Sequence, residues 1–212
     1  GIPQRKERER LRRKKEILEA AKKIFSKKGF MNTTIEEVAK ESELSTGTIY
    51  LYFTSKEELY VSLIVESYDI LIEDLQKAMT QDVAPDELLI SMANTYYKFC
   101  TDHPDHYRII NFIVNEHLNL RLTPELTGKI GDKTDTIFRM VSEVVKLGIK
   151  RGVFKQIDTW DVTSLFWSSL HGIIQVQTSI DYLKGRTTDI GSLVRKNMEF
   201  MVSAIRVDSV PL

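Results

Sequence analysis

The chain has 212 residues, 42% of them hydrophobic and 28% charged, with a formal net charge of zero. This is an ordinary globular balance with material for one or two cores; no apolar run reaches the ~20 residues of a membrane span, and the densely charged N-terminus lacks the apolar stretch of a signal peptide. The single cysteine, Cys100, excludes an internal disulfide framework, leaves no cysteine cluster for zinc and fits a reducing cytoplasm.

The neutrality conceals an asymmetry. Residues 1–28 hold 12 Lys and Arg against 4 Glu, and the remainder holds 18 basic residues against 26 acidic ones. One end only therefore suits a polyanion. Taken alone, such a run is as well explained by a solvated helix face. Arg5 to Lys15 read either as a helical extension or as a loose arm reaching an adjacent minor groove. In both forms the contribution to binding acts through counterion release and weakens with salt.

The first helix is predicted from the stripe Ile17, Leu18, Ala21, Ile24 and Phe25. It stops at Gly29, where Lys27 and Lys28 suit the C-terminal dipole. Thr34-Ile-Glu-Glu37 is a capping box that opens a second helix to about Glu41. Ser45 caps a third, read over residues 46–53, with Ile49 and Phe53 on its inner face. Gly47, Thr48, Tyr50 and Leu51 occupy the opposite face. So short a helix cannot hold itself by propensity. It must be pinned by its inner face, leaving the outer one for a partner. The second and third helices form a helix-turn-helix, which points to DNA.

Ser55-Lys-Glu-Glu58 is a second capping box, and from it a long helix is expected to run to about Met79. Pro85, with Asp86 and Glu87, starts the next, ending near residues 102–104. Another runs from Asp105 to about His117. Thr123-Pro-Glu125 opens one that extends towards Arg151, with Gly152 as its stop. Thr159 to about Asp181 and Thr188 to about Arg206 complete about nine helices, with three short ones in the head. Strand-like alternation and internal repeats are absent.

The pattern Thr34-x3-Val38-Ala39-x2-Ser42-x-Leu44-Ser45-x-Gly47-Thr48-Ile49-Tyr50-x-Tyr52-Phe53-x2-Lys56-x2-Leu59 resembles the signature of TetR-family transcriptional regulators. One position departs from it: Glu43 stands where the family usually has glycine. Glu43 must accept a positive φ or shift the turn. The resemblance implies an all-α chain in two domains. Residues 1–54 would be an N-terminal three-helix helix-turn-helix DNA-binding domain with its basic extension. A long helix would join it to a C-terminal helical ligand-binding and dimerisation domain, residues 55–212.

The resemblance also implies a DNA-contacting set of Thr33 or Thr34, Thr46, Thr48, Tyr50, Tyr52 and Lys56. The residues themselves supply reasons. Ser45 and the helix start favour phosphate, Gly47 lets the backbone approach, and Thr46 and Thr48 can donate to phosphates or base edges. Leu51, otherwise an exposed leucine, is expected to pack on a thymine methyl. Lys56 is expected to anchor a phosphate without reading sequence.

The Thr159–Asp181 segment is apolar on more than one side, so two of its faces need covering. One would meet its own core and the other a second subunit. The expected interface takes Phe166, Ser169, Leu170 and Ile173 from this helix, and Val194, Met198, Met201 and Ile205 from the last. In the family these two helices build a four-helix dimer contact. A two-fold dimer presents two heads to a palindrome.

By the same resemblance, the region between holds a pocket. Its expected lining is Tyr96, Phe99, Cys100, Tyr107, Phe112, Phe138 and Trp167, with Asn111, His171 and Gln175 as polar groups. Such walls suit a small apolar or amphipathic effector. For any one of these aromatics, plain core packing is the better explanation, so the lining is a reading of the region rather than of single residues.

An enzyme is disfavoured. Ser168, Ser169, His171 and Asp161 are close in sequence, but three of them share helix turns inside an apolar stripe, with no sharp turn presenting a nucleophile and no oxyanion hole. His103 and His106 flank Pro104 without further ligands, so no metal and no cofactor is expected. A helical adaptor that uses the short helix for a protein partner is the alternative, and the basic head argues against it. The sequence therefore reads as a cytoplasmic, homodimeric repressor that binds double-stranded DNA at a palindromic operator, is released by a small molecule, and has no membrane partner.

Overall fold

The computed structural model describes residues 2–116 and 122–207, without the side chains of residues 2, 3 and 113–116. The expected helix end at His117 lies outside the described residues. In chain order the elements are α1 (Ile2–Lys28), α2 (Ile35–Glu41), α3 (Thr46–Tyr50), α4 (Lys56–Met79), α5 (Pro85–Asp102), α6 (Pro104–Glu116), α7 (Pro124–Lys150), α8 (Thr159–Lys184) and α9 (Ile190–Ile205). Among the described residues there is no strand, only one isolated antiparallel bridge between Phe154 and Arg206. The all-helical architecture expected from the sequence is the one observed.

Three bounds differ from expectation. α1 is not short: its 27 residues take in the whole basic run, which is helix rather than loose arm. α8 continues to Lys184, where Gly185, at φ 58, supplies the left-handed stop. α3 ends after five residues.

The chain packs as two compact units. One runs through Ile70 and includes the described part of His103–Lys133; the other comprises Leu71–Asp102 and the chain from Thr134 onward. α4 and α7 contribute residues to both.

In the first unit α1 packs on α2 and α6, and α2 on α3. Ile17, Ala21 and Phe25 of α1, Val38 and Ala39 of α2, and Leu59 and Leu63 of α4 are buried. Phe25, Phe30 and Phe112 surround the Tyr60 ring at centroid distances of 4.9, 5.2 and 5.7 Å, each edge-on. Burial pushes the pKa of Tyr60 well above its ordinary value, and its hydroxyl donates to the Ile109 carbonyl at 2.9 Å.

A polar node lies beside this cluster. The Ser67 hydroxyl donates to the Leu63 carbonyl at 2.7 Å, so it accepts from Nδ1–H of His106 at 2.9 Å. His106 Nε2 then accepts from the Lys22 ammonium at 3.4 Å. The tautomer follows from this donor–acceptor order. α1, α4 and α6 are thereby tied through one buried, neutral imidazole.

In the second unit α9 packs on α5 and α8. Leu88, Leu89 and Met92 of α5, Phe166, Leu170 and Ile174 of α8, and Val194, Met198 and Val202 of α9 are buried. Phe154 is pressed so closely on α7 that a Cβ at Gly148 would overlap its ring. Arg206 pairs with the largely buried Asp86. Cys100 is buried, which pushes its thiol up to about 12.

His106 gives a pH test. Burial, then the nearby charges of Lys22 and His103, pull it from 6.5 to about 4, against the opposing influence of Glu19 and Asp105. The unfolded chain takes up this proton at higher pH than the folded one. Stability is therefore fully present above about pH 6.5 and falls as pH drops towards 4, by about 2–3 kcal/mol from this residue. Urea unfolding from pH 7 to 4 should show this loss, and His106→Asn should flatten the profile within that window.

Candidate nucleic-acid interface

The helix-turn-helix has two closed helix starts. Thr34 Oγ1 accepts from the Glu37 amide at 3.2 Å, while the Glu37 carboxylate accepts from the Thr34 amide at 3.0 Å, completing the expected capping box. Hydrogen bonds from Lys28 and Thr34 hold Glu37 below the usual carboxylate range. In the turn, the Ser42 hydroxyl donates to the Val38 carbonyl at 2.8 Å and the Leu44 amide to the Ala39 carbonyl at 2.9 Å. Between them Glu43 takes a positive φ of 55°, the first of the two options open to it. The turn is kept, and a side chain bears the strain that glycine would avoid.

Ser45 caps α3, accepting from the Thr48 amide at 3.1 Å, and its oxygen also lies 2.9 Å from the Thr48 hydroxyl. The helix expected over 46–53 stops at Tyr50. The Tyr52 and Phe53 amides both donate to the Ile49 carbonyl, each at 3.0 Å, and this shared acceptor closes the helix in a turn. The pinning residues behave as expected, with Ile49 and Phe53 buried. Facing outward, Tyr50 is 53% and Leu51 78% exposed. Thr34, Ser45 and Gly47 are also exposed, while Thr46, Thr48 and Tyr52 are half-buried.

Two residues expected to touch DNA are placed differently. Thr33 is 1% exposed and its hydroxyl donates to the Gly29 carbonyl at 2.8 Å, so of the pair only Thr34 reaches the surface. The Lys56 ammonium donates to the Phe30 and Thr33 carbonyls at 2.9 and 3.0 Å and sits 4.1 Å from the Phe30 ring centroid. Two of its three N–H bonds are committed to the loop before α2. Lys56 is thus first a clamp, which a sequence reading misses because its acceptors are backbone atoms. The second capping box is also shifted. The Ser55 hydroxyl accepts from the Glu58 amide at 3.0 Å, but Glu58 turns to the amide and hydroxyl of Thr54, both at 2.6 Å. Those hydrogen bonds hold Glu58 below its ordinary value.

Three of the expected pocket residues line one cavity. In the second unit a cavity of about 40 Å³ is lined by Tyr96, Phe138 and Trp167 together with Leu75, Met92, Thr163, Phe166 and Leu170. The His171 Nδ1 lies 3.2 Å from the Tyr96 hydroxyl beside it. Burial lowers His171, with Gln175 acting in the opposite direction. Phe99 and Cys100 are buried in α5 without lining the cavity. Tyr107, Asn111 and Phe112 belong to the first unit, where Phe112 completes the ring cluster around Tyr60. Asn111 is half-buried and, like Tyr107, sits on α6.

The expected dimer face also needs correcting. Phe166, Leu170, Val194 and Met198 are buried inside the protomer, and Ser169, Ile173, Met201 and Ile205 are half-buried. Asn197 joins α9 to α8 by donating to the Ser169 hydroxyl at 2.9 Å. The outward apolar groups of the two helices include instead Leu165 and Val176, with Trp160, Tyr182 and Leu183 towards the ends of α8, and Phe200 on α9. The apolar all-round composition of α8 hid which stripe faced in. Among the described residues no His, Cys, Asp and Glu cluster could hold a metal, and no helix is long and apolar enough to cross a membrane.

Residues 17–63 match the family of bacterial regulatory proteins described as the tetR family. The chain is 28% identical over 203 residues to the HTH-type transcriptional regulator YfiR of Bacillus subtilis (strain 168), covering 93% of this chain and 94% of that protein. It is 25% identical over 191 residues to the fatty acid metabolism regulator protein of the same organism, covering 90% and 94%. Among solved structures, FadR from Bacillus subtilis in complex with stearoyl-CoA superposes with a TM-score of 0.71 at 20% identity, over 90% of this chain and 98% of that one. PfmR, a TetR family transcriptional regulator from Thermus thermophilus, does so with a TM-score of 0.71 at 20% identity, over 88% and 97%. A pinned, doubly capped helix-turn-helix on an all-helical body, with these relatives, defines a DNA-binding transcriptional regulator. The chain belongs to the TetR family.

Glu43→Gly should relieve the left-handed strain and raise stability by about 0.5–1 kcal/mol, read as a higher urea midpoint at unchanged slope.

Proposed function

We propose that the protein is a cytoplasmic, homodimeric repressor that binds a palindromic operator and is released by a small apolar or amphipathic effector. The observation that carries this reading is the outer face of α3. Tyr50 and Leu51 are exposed at a site whose inner side chains are fully committed to holding the helix. An exposed tyrosine and leucine beside a hydroxyl-rich, basic surface suit base edges and phosphates.

Residues 1–54 act as the reading head and 55–212 as the effector-binding and dimerising body. Thr34, Ser45, Thr46, Gly47, Thr48, Tyr50, Leu51 and Tyr52 make the DNA contacts, and Lys56 holds the head in shape while its remaining N–H faces phosphate. The dimer forms through Leu165, Val176 and Phe200 with the half-buried Ser169, Ile173, Met201 and Ile205. Apolar side chains this exposed on two adjacent helices support a covered face.

The effector enters the body around Tyr96, Phe138 and Trp167, where the walls are apolar and His171 supplies a polar group. The fatty acid metabolism regulator among the relatives, and the stearoyl-CoA held by FadR, support an acyl-type effector. A cavity of about 40 Å³ is far smaller than such a molecule, so binding requires the helices of the body to move apart. α4 continues from the head's unit into the body's, which gives that movement a covalent route to the head. Release follows only if the effector favours the non-binding arrangement; equal affinity for both would shift nothing.

Selection of bound duplexes from a random pool should return a palindrome with half-sites about one helical turn apart. Recovery of no preferred sequence would overturn the reading. On the recovered operator, Tyr50→Ala should cost about 1–3 kcal/mol of affinity while sedimentation still reports a dimer. Long-chain acyl thioesters should lower operator affinity, measured by anisotropy.

A further inference from the structure

The first buried side chain of α1 is that of Ile17, and every residue from Gln4 to Arg12 is exposed. Residues 4–16 hold eight lysines and arginines and three glutamates. A helix that buries nothing gains no support from a core, and its like-charged i,i+4 neighbours Lys6 and Arg10, Arg8 and Arg12, and Arg10 and Lys14 work against the opposite-charge pairs Arg5 and Glu9, Glu9 and Arg13, and Arg12 and Glu16. The stretch keeps a net positive charge that an anionic partner along it would offset.

The phase of the charges says which side such a partner takes. Lys6, Arg10 and Arg13 fall on one helical row, and the same row continues as Ile17, Ala20 and Ile24. One stripe is thus apolar where α1 faces its own core and basic where α1 overruns it. Glu7, Glu9 and Glu16 lie to either side of this row. The overrun begins at the helix-turn-helix. The Lys14 ammonium is 5.4 Å from the Phe53 ring centroid, and Arg12, Arg13 and Lys15 border a groove shared with Glu41, Ser42 and Glu43. From there α1 continues for about ten more residues, or about 15 Å.

We infer that this overrun is a second DNA-binding surface, in which Lys6, Arg10 and Arg13 hold phosphates of the duplex flanking the bases presented to α3. The inference rests on α3 being the DNA-reading helix. Charge complementarity and continuity with the helix-turn-helix identify the occupant. A helix about 10–12 Å across does not enter a minor groove about 6 Å wide, so the contacts are to backbone and carry register rather than sequence. Arg13 exchanges its exposed partner Glu16, now at 2.8 Å, for phosphate, and such a surface pair is weak.

The test compares two charge-matched variants. Lys6→Gln, Arg10→Gln and Arg13→Gln together remove the inner row; Arg5→Gln, Arg8→Gln and Arg12→Gln together remove an outer one. Glutamine preserves helix propensity, and far-ultraviolet circular dichroism checks that helicity is unchanged. Affinity for a random-sequence duplex is measured across salt concentrations. The inner-row variant should lower the slope of log K against log salt by about 2–3, near 0.9 for each phosphate no longer neutralised, and the outer-row variant by less than about 1. Equal effects would reduce the surface to general charge, and no effect from the inner row would place the phosphates elsewhere; either overturns the inference alone. If the intact chain binds no duplex at low salt, the reading of α3 falls with it.

Discussion

A five-residue helix has no stability of its own, and the use of this protein as a reader of DNA depends on how that deficit is met. Nucleating a helix fixes several dihedrals for a single hydrogen bond, so isolated helices of this length do not persist in water. Two side chains and two caps stand in for propagation here. Ile49 and Phe53 are fully buried, Ser45 closes the start, and the carbonyl of Ile49 takes two amides at the end. Everything that stabilises α3 points inward or lies along its axis. The outward side chains are thereby free of structural duty, and Tyr50 and Leu51 can be chosen for what they touch.

The anchor works only if what it grips is rigid, and the first unit supplies that in a second layer. Lys56 spans the loop before α2 with two hydrogen bonds and a ring contact, so the start of α4 and the loop are held together. Tyr60, one turn further, is enclosed by three aromatic rings and bonded to α6. His106 then ties α6 to α1 and α4 through both ring nitrogens. Each of these contacts joins the reading helices, directly or at one remove, to α4. α4 itself runs on from the first unit into the second.

Much of this was legible from the chain, and the failures have physical causes. Caps and stops are local chemistry, so Thr34, Ser45, Gly29 and Gly152 marked helix bounds within a residue or two. The strain at Glu43 was legible because only one residue type tolerates that turn without cost. The end of α3 was not, because a carbonyl shared by two amides leaves no mark in side-chain pattern. The inner stripe of α8 was misassigned for a different reason. A helix apolar on all sides has no phase, and only packing against α9 settles that Phe166 and Leu170 face in while Leu165 and Val176 face out. Thr33 and Lys56 were placed at the DNA by the family resemblance, and both are held by backbone carbonyls that no sequence displays.

Cys100 sets the protein's reactivity as well as its packing. With its thiol buried and pushed up to about 12, the group carries little thiolate at neutral pH, the form that oxidants and alkylating reagents attack. The same burial makes the native chain a ready background for spectroscopy: one cysteine introduced on the surface would take a spin or fluorescent label in preference to Cys100.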